Sequence, residues 1–100
     1  MSVYAIALIN VKDRDEYSKY TEGFMKVFAQ FEGELLSADE APRVVEGKWP
    51  YARTVLMRFP TEQAFKAWFT SKAYEAITRH RLHSASANIA LITAIDSGGA

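Results

Sequence analysis

Arg53 is the residue of this sequence that most demands a chemical explanation. It stands in the alternating run Tyr51-Ala52-Arg53-Thr54-Val55-Leu56-Met57-Arg58-Phe59, on the face shared by Tyr51, Val55, Met57 and Phe59. A guanidinium among apolar neighbours is costly unless an anion meets it. That anion is either Glu46 or another carboxylate that ties the preceding loop to the sheet, or the carboxylate of a ligand gripped by the guanidinium fork. Tyr17, Tyr20, Trp49, Trp68 and Tyr74 are placed to line one cavity between sheet and helices, with hydroxyls as the few polar groups that small-molecule sites use. A flat aromatic acid or ketone suits such a lining; the alternative is that aromatics at helical spacing simply fill the core.

His80 and His83 are three residues apart and share a helix face, the spacing of a two-histidine metal edge. Arg79 and Arg81 flank His80, and two cations repel a metal ion, so the expectation is a solvated basic helix end with no metal. A haem-iron ligand is the alternative for either histidine, and His83 stands among the candidate ligand contacts. Arg81 falls on the stripe of Tyr74 and Ile77, which directs it inward to a carboxylate or a ligand. No cysteine, serine elbow or glycine-rich phosphate loop is present, so a thiolate or acyl-transfer nucleophile has no support. Glu46 or a histidine are the available general acids or bases, with no spacing that pairs one to a substrate.

The elements that must position these groups follow from periodicity. Val3 to Asn10 is continuously apolar and predicts a strand buried on both faces. Asp13 and Glu16 form a capping-box pattern ahead of Tyr17, Tyr20, Phe24, Val27, Phe28 and Phe31, a long amphipathic helix. Gly33 is expected to close that helix in the left-handed conformation. A second strand runs from Glu34 to Ala38, bent or bulged around Pro42, with Val44-Val45 as its second arm. Tyr51 to Phe59 is the third strand. Thr61 caps a helix with Ala64, Phe65, Trp68 and Phe69 inward, and Ser71 recaps a second segment carrying Tyr74, Ile77, Arg81 and Leu82. Ala87 to Ile95 closes the sheet, and Asp96 to Ala100 is expected to fray.

Strand, helix, strand, strand, helix, strand is the order of the split βαβ arrangement, an α+β ferredoxin-like βαββαβ fold with a four-stranded antiparallel sheet and two helices on one face. The uncovered face of such a sheet meets water and should be polar. Here Tyr4, Ile6 and Leu8 back Val3, Ala5, Ala7 and Ile9, and Ala90, Ile92 and Ala94 back Ile89, Leu91 and Ile95. Leaving about four large side chains exposed forgoes about 1.5 to 3 kcal/mol each. The same face of a second copy is the simplest cover, so the expected assembly is an obligate homodimer.

Composition sets the outer limits. One hundred residues, 49% hydrophobic and 24% charged, make a single globular domain over residues 1-100 rather than a multidomain or disordered chain. Twelve Lys and Arg balance twelve Asp and Glu, so no global field recruits nucleic acid or an anionic membrane. The apolar runs are too short to span a bilayer, and no leader-like segment precedes Val3, which makes the expected location cytoplasmic.

The run Glu46-Gly47-Lys48-Trp49-Pro50-Tyr51-Ala52-Arg53-Thr54-Val55, then Phe59-Pro60-Thr61, Ala67-Trp68-Phe69-Thr70-Ser71, Tyr74 and Arg81, resembles the pattern of the domain of unknown function 1330 family over nearly the whole chain. The resemblance implies the dimeric α/β barrel superfamily, whose members include small monooxygenases, lactone isomerases and haem-degrading enzymes. Departures from the pattern are Glu32-Gly33 for a glycine pair, Thr61 for serine, Phe69 for tyrosine and Lys72 where a proline often stands. The expected function is a small-molecule-binding dimeric barrel, a cofactor-independent enzyme acting on a small aromatic or carbonyl compound whose anionic group Arg53 holds. The alternatives are a non-catalytic dimeric protein-interaction module and a haem-degrading-type monooxygenase.

Overall fold

The computed structural model describes residues 1–95; the expected fraying of Asp96 to Ala100 lies outside them. Its elements are β1 (Val3–Val11), α1 (Arg14–Phe28), β2 (Glu34–Asp39), β3 (Arg53–Phe59), α2 (Glu62–Phe69), α3 (Lys72–Ser84) and β4 (Ala85–Thr93). The strands form one antiparallel sheet in the order β2-β3-β1-β4, with the helices packed on one side. This is the expected ferredoxin-like arrangement.

Each helix begins where a side chain can satisfy its first free N–H groups. Asp13, Thr61 and Ser71 sit in extended backbone at the three N-caps, accepting from the N–H of Glu16, Ala64 and Tyr74 respectively. The second helical region is therefore two segments, broken at Thr70-Ser71 because Ser71 leaves helical geometry to cap the next turn. At the far end of α3 the Ser84 carbonyl accepts from the N–H groups of Lys12 (2.7 Å) and Asp13 (3.1 Å), tying the entrance of α1 to the exit of α3.

The core lies between helices and sheet. Ala5, Ala7, Ile9, Val55, Met57 and Phe59 are buried beneath Tyr17, Tyr20, Phe28, Phe65, Trp68 and Tyr74. Phe59 stacks on Trp68 with ring centroids 5.6 Å apart, and Phe28 meets both rings edge-on. The opposite face carries Tyr4, Ile6 and Leu8 of β1, with Ile6 in register with Leu56 and Ala90, and Tyr4 with Ile92. Ile92 is 47% exposed.

Several boundaries differ from expectation for identifiable reasons. Gly33 does not adopt the left-handed conformation, which among the described residues belongs to Gly47 alone. Gly33 is required because a Cβ there would stand 2.5 Å from Phe28 Cζ and 2.6 Å from Phe59 Cε2. The helix stops at Phe28 instead of Phe31, whose N–H bonds to the Phe28 carbonyl in a tightened last turn. The irregularity of the second strand is a bulge between Leu35 and Ser37, not a bend at Pro42. Val44-Val45 forms no second arm; Val45 is 99% exposed and has nothing to pair with.

Candidate functional site

An apolar cavity of about 160 Å³ lies between the sheet and the helices. The sheet supplies its floor through alternate residues, Ala7 and Ile9 from β1 and Arg53, Val55 and Met57 from β3. Tyr17, Tyr20 and Phe24, at three-and-four spacing on α1, form one wall. Trp68 from α2 and Tyr74 and Arg81 from α3 form the other.

Arg53 is largely withdrawn from water, its side chain 17% exposed, and its Nη1 is paired with Glu40 Oε1 at the rim, the Glu40 carboxylate being 71% exposed. Its Nε has no partner, and its Cζ stands 5.8 Å from the centre of the Tyr17 ring. Burial pushes the Tyr17 hydroxyl above the usual phenol range, against the pull of the nearby Arg53 and Arg81 charges. Tyr20 and Tyr74 share a 2.8 Å hydrogen bond between their hydroxyls. Burial, reinforced by Tyr74, pushes Tyr20 far above the usual phenol range, so Tyr20 stands as a neutral phenol in this wall.

Among the described residues, the buried polar side-chain atoms without a hydrogen-bond partner are Tyr17 Oη, Arg53 Nε, Trp68 Nε1, Arg81 Nε and Thr78 Oγ1. All but Thr78 belong to residues that line this one cavity. Buried donors are nearly always satisfied, because an unmet N–H or O–H costs about 1 to 3 kcal/mol. Four residues that carry an unmet buried polar atom thus border one apolar space.

The candidate residues divide accordingly. Tyr17, Tyr20, Arg53, Trp68, Tyr74 and Arg81 are brought together around the cavity. Glu46 is exposed in the loop before β3 and does not meet Arg53; the carboxylate that does is Glu40. Trp49 is 44% exposed and donates its indole N–H to Thr54 Oγ1 at 3.1 Å, outside the cavity lining. His83 is exposed. His80 is not free in solvent, as a basic helix end implies, because its Nδ1 lies 2.5 Å from Glu16 Oε2 and joins α3 to α1. The Glu16 carboxyl is held below the usual carboxylate range chiefly by that bond, with Lys19 assisting. No cluster of three or more metal-ligating side chains occurs among the described residues, and no helix of theirs is long and apolar enough to cross a membrane.

Sequence reasoning missed Glu40 as Arg53's partner and Phe69, Leu35 and Ala38 as lining. Phe69 was legible as part of the inward stripe of its helix, whereas Glu40, Leu35 and Ala38 depend on where the bulge falls.

Comparison with known proteins places this geometry in context. The family model described as Domain of unknown function (DUF1330) matches residues 2–95. No curated protein is significantly similar in sequence. Among solved structures, a protein of unknown function from Rhodopseudomonas palustris is similar with a TM-score of 0.79 at 12% identity, over 95% of this chain and 83% of the other. SnoaB, a cofactor-independent oxygenase from Streptomyces nogalater, is similar with a TM-score of 0.68 at 12% identity, over 96% of this chain and 95% of its own. A dimeric ferredoxin-like protein of unknown function from Thermobifida fusca gives a TM-score of 0.68 at 17% identity, over 94% and 92% of the two chains.

Proposed function

This chain belongs to the DUF1330 family, and on that premise we propose that it is a homodimeric α/β barrel protein whose cavity binds a small aromatic or carbonyl compound, acting as an enzyme that needs no cofactor. The observation that carries the binding function is the set of unmet donors of Tyr17, Arg53, Trp68 and Arg81 around one apolar space. A core merely filled by aromatics would leave neither the space nor the donors. The cavity bordering Arg53 speaks against a purely protein-binding module, and its volume of about 160 Å³ is far below the roughly 300–1,000 Å³ of sites for larger ligands, which speaks against haem.

The catalytic part of the proposal is supported by the fold shared with an oxygenase described as cofactor-independent. In such chemistry the donors of this chain would hold a substrate oxygen and stabilise negative charge as it develops there, an effect that is strongest where water is excluded. The dimer is supported by the apolar reverse face of the sheet and by a solved relative in fold described as dimeric.

Thermal-shift screening against single-ring aromatic acids, aldehydes and ketones, followed by crystal soaking of the hits, tests the binding function. A ligand at about 100 times its Kd stabilises the protein by about 2.7 kcal/mol, a rise of about ten degrees or more in Tm. No stabilisation by any member of the panel, with electron density for an aromatic side chain filling the cavity, would refute it.

A further inference from the structure

We propose that Arg81 is the charge anchor of this cavity and that the ligand is a compact monocarboxylic acid about the size of one aromatic ring. The inference deepens the small-molecule reading above and rests on it.

Arg81 is 6% exposed, near the C-terminal end of α3 on its buried side. Its Nε has no hydrogen-bond partner, and none of the ion pairs among the described residues involves it. A desolvated guanidinium with no counter-ion is among the most costly groups a small domain can bury. Such a cost is found at sites where a ligand supplies the opposite charge. Arg53, the other cation of the cavity, differs because Glu40 already neutralises it at the rim. Among the described residues, the counter-charge still missing is therefore the one for Arg81.

The surroundings narrow the ligand. Tyr17 lies in the field of both cations, and its unmet hydroxyl adds a donor at the same end of the cavity. That end is fixed by register: Arg53 opposes Ile9 on one side, Ala87 opposes it on the other, and α3 runs into β4 just before Ala87. Phe24, Met57 and Leu35 offer only apolar surface. A site with both cations at one end and a largely apolar lining suits an anion with an apolar body. A cavity of about 150 Å³ admits benzene, so the space of about 160 Å³ here holds one ring with its carboxylate reaching the arginine. The planar guanidinium fork matches a carboxylate in two parallel hydrogen bonds.

Isothermal titration of the whole protein with benzoate, salicylate and phenylacetate, beside the neutral benzamide and phenylacetamide, tests the assignment. The acids should bind about tenfold or more tightly than the amides, as expected for charge-assisted bonds to a buried cation. Arg81→Met should abolish that preference while melting at or above the wild-type temperature, since methionine fills similar space without an unpaired charge. Arg81→Lys keeps the charge and should retain part of the preference, which preserves the test if the methionine variant folds poorly. Equal binding of acids and amides, or an acid preference that survives in Arg81→Met, would overturn the anchor while leaving the small-molecule cavity standing. Failure of acids and amides alike to bind wild-type protein would overturn the cavity's function itself.

Discussion

Replacing Ile6 with aspartate is the most direct test of why this sheet is apolar on both sides. Ile6 lies on the central strand β1 and faces away from the helices, flanked in register by Leu56 on β3 and Ala90 on β4. In the proposed dimer this side chain leaves water in both protomers. Burial of an isoleucine is worth about 1.5 to 3 kcal/mol, and two-fold symmetry counts it twice, so its removal costs about 3 to 6 kcal/mol of association, or about two to four powers of ten in Kd. The lower end is the better expectation, because neighbouring side chains already half-cover Ile6 within one protomer. The carboxylate then adds its own desolvation penalty. Light scattering coupled to size exclusion at micromolar concentration should report a dimer for the wild type and a monomer for Ile6→Asp, with far-UV circular dichroism unchanged. Leu82→Asp, at a residue 63% exposed on α3, is the control and should remain dimeric. A monomeric wild type, or an Ile6→Asp protein that still elutes as a dimer, would refute the argument from two-sided strands.

Other consequences are equally accessible. Gly33→Ala forces a methyl within 2.5 to 2.7 Å of the Phe28 and Phe59 rings and should cost about 1 to 3 kcal/mol by overpacking; thermal unfolding reads this as a drop of several degrees, and an unchanged Tm would show that the rings yield freely. Tyr74→Phe strands the Tyr20 hydroxyl and should destabilise by about 1 to 3 kcal/mol, whereas Tyr20→Phe/Tyr74→Phe, with both hydroxyls gone, should lose less than the single variant; equal or larger loss in the double variant contradicts the stated role. Because the folded state holds the Glu16 carboxyl below the usual carboxylate range, chiefly through its bond with His80, the stabilisation it confers is fully present above that range and is lost as pH falls through the lowered folded value. Urea unfolding of wild type and Glu16→Gln should therefore differ at neutral pH and converge in acid, and a pH-independent difference would dissociate the carboxylate's charge from its effect.

The architecture was legible because the patterns that specify it are local. Asp13, Thr61 and Ser71 are caps recognisable from neighbouring residues, and the structure uses all three. The strands were legible from their apolar runs, and the broken second helix from Thr70-Ser71. Part of the cavity was legible for the same reason: Tyr17, Tyr20, Trp68, Tyr74 and Arg81 face inward by helical phase, and Arg53 by strand phase. The misjudged features depend on contacts between distant segments. Gly33 looked like a conformational requirement and is a steric one, set by the Phe59 ring from a strand some distance along the chain. His80 reads as part of a solvated basic helix end beside Arg79 and Arg81, because nothing within its own helix reveals Glu16 on α1. Trp49 and Glu46, read as a cavity aromatic and as an ion-pair partner for Arg53, lie exposed in the loop before β3, a placement that no local pattern signals.

Glu40 shows how a single residue of register decides the electrostatics of the cavity. Leu35 opposes Met57, but after the bulge Ser37 opposes Leu56, Ala38 opposes Val55 and Asp39 opposes Thr54. Leu36 is the extra residue, and an insertion of one exchanges the faces of everything that follows it. In an unbroken ladder Asp39 would stand opposite Arg53; with the bulge that position falls to Glu40, and Asp39 turns to the other face, where its Oδ1 accepts the N–H of Ala41 at 2.8 Å. The longer glutamate reaches the Arg53 guanidinium from the rim and remains exposed, so it neutralises the outer cation without entering the cavity. Ala38, brought inward by the same shift, adds only a methyl to the lining. The edge strand thus supplies one carboxylate for the two arginines of the cavity and places it where it meets Arg53, so that among the described residues Arg81 has no carboxylate partner.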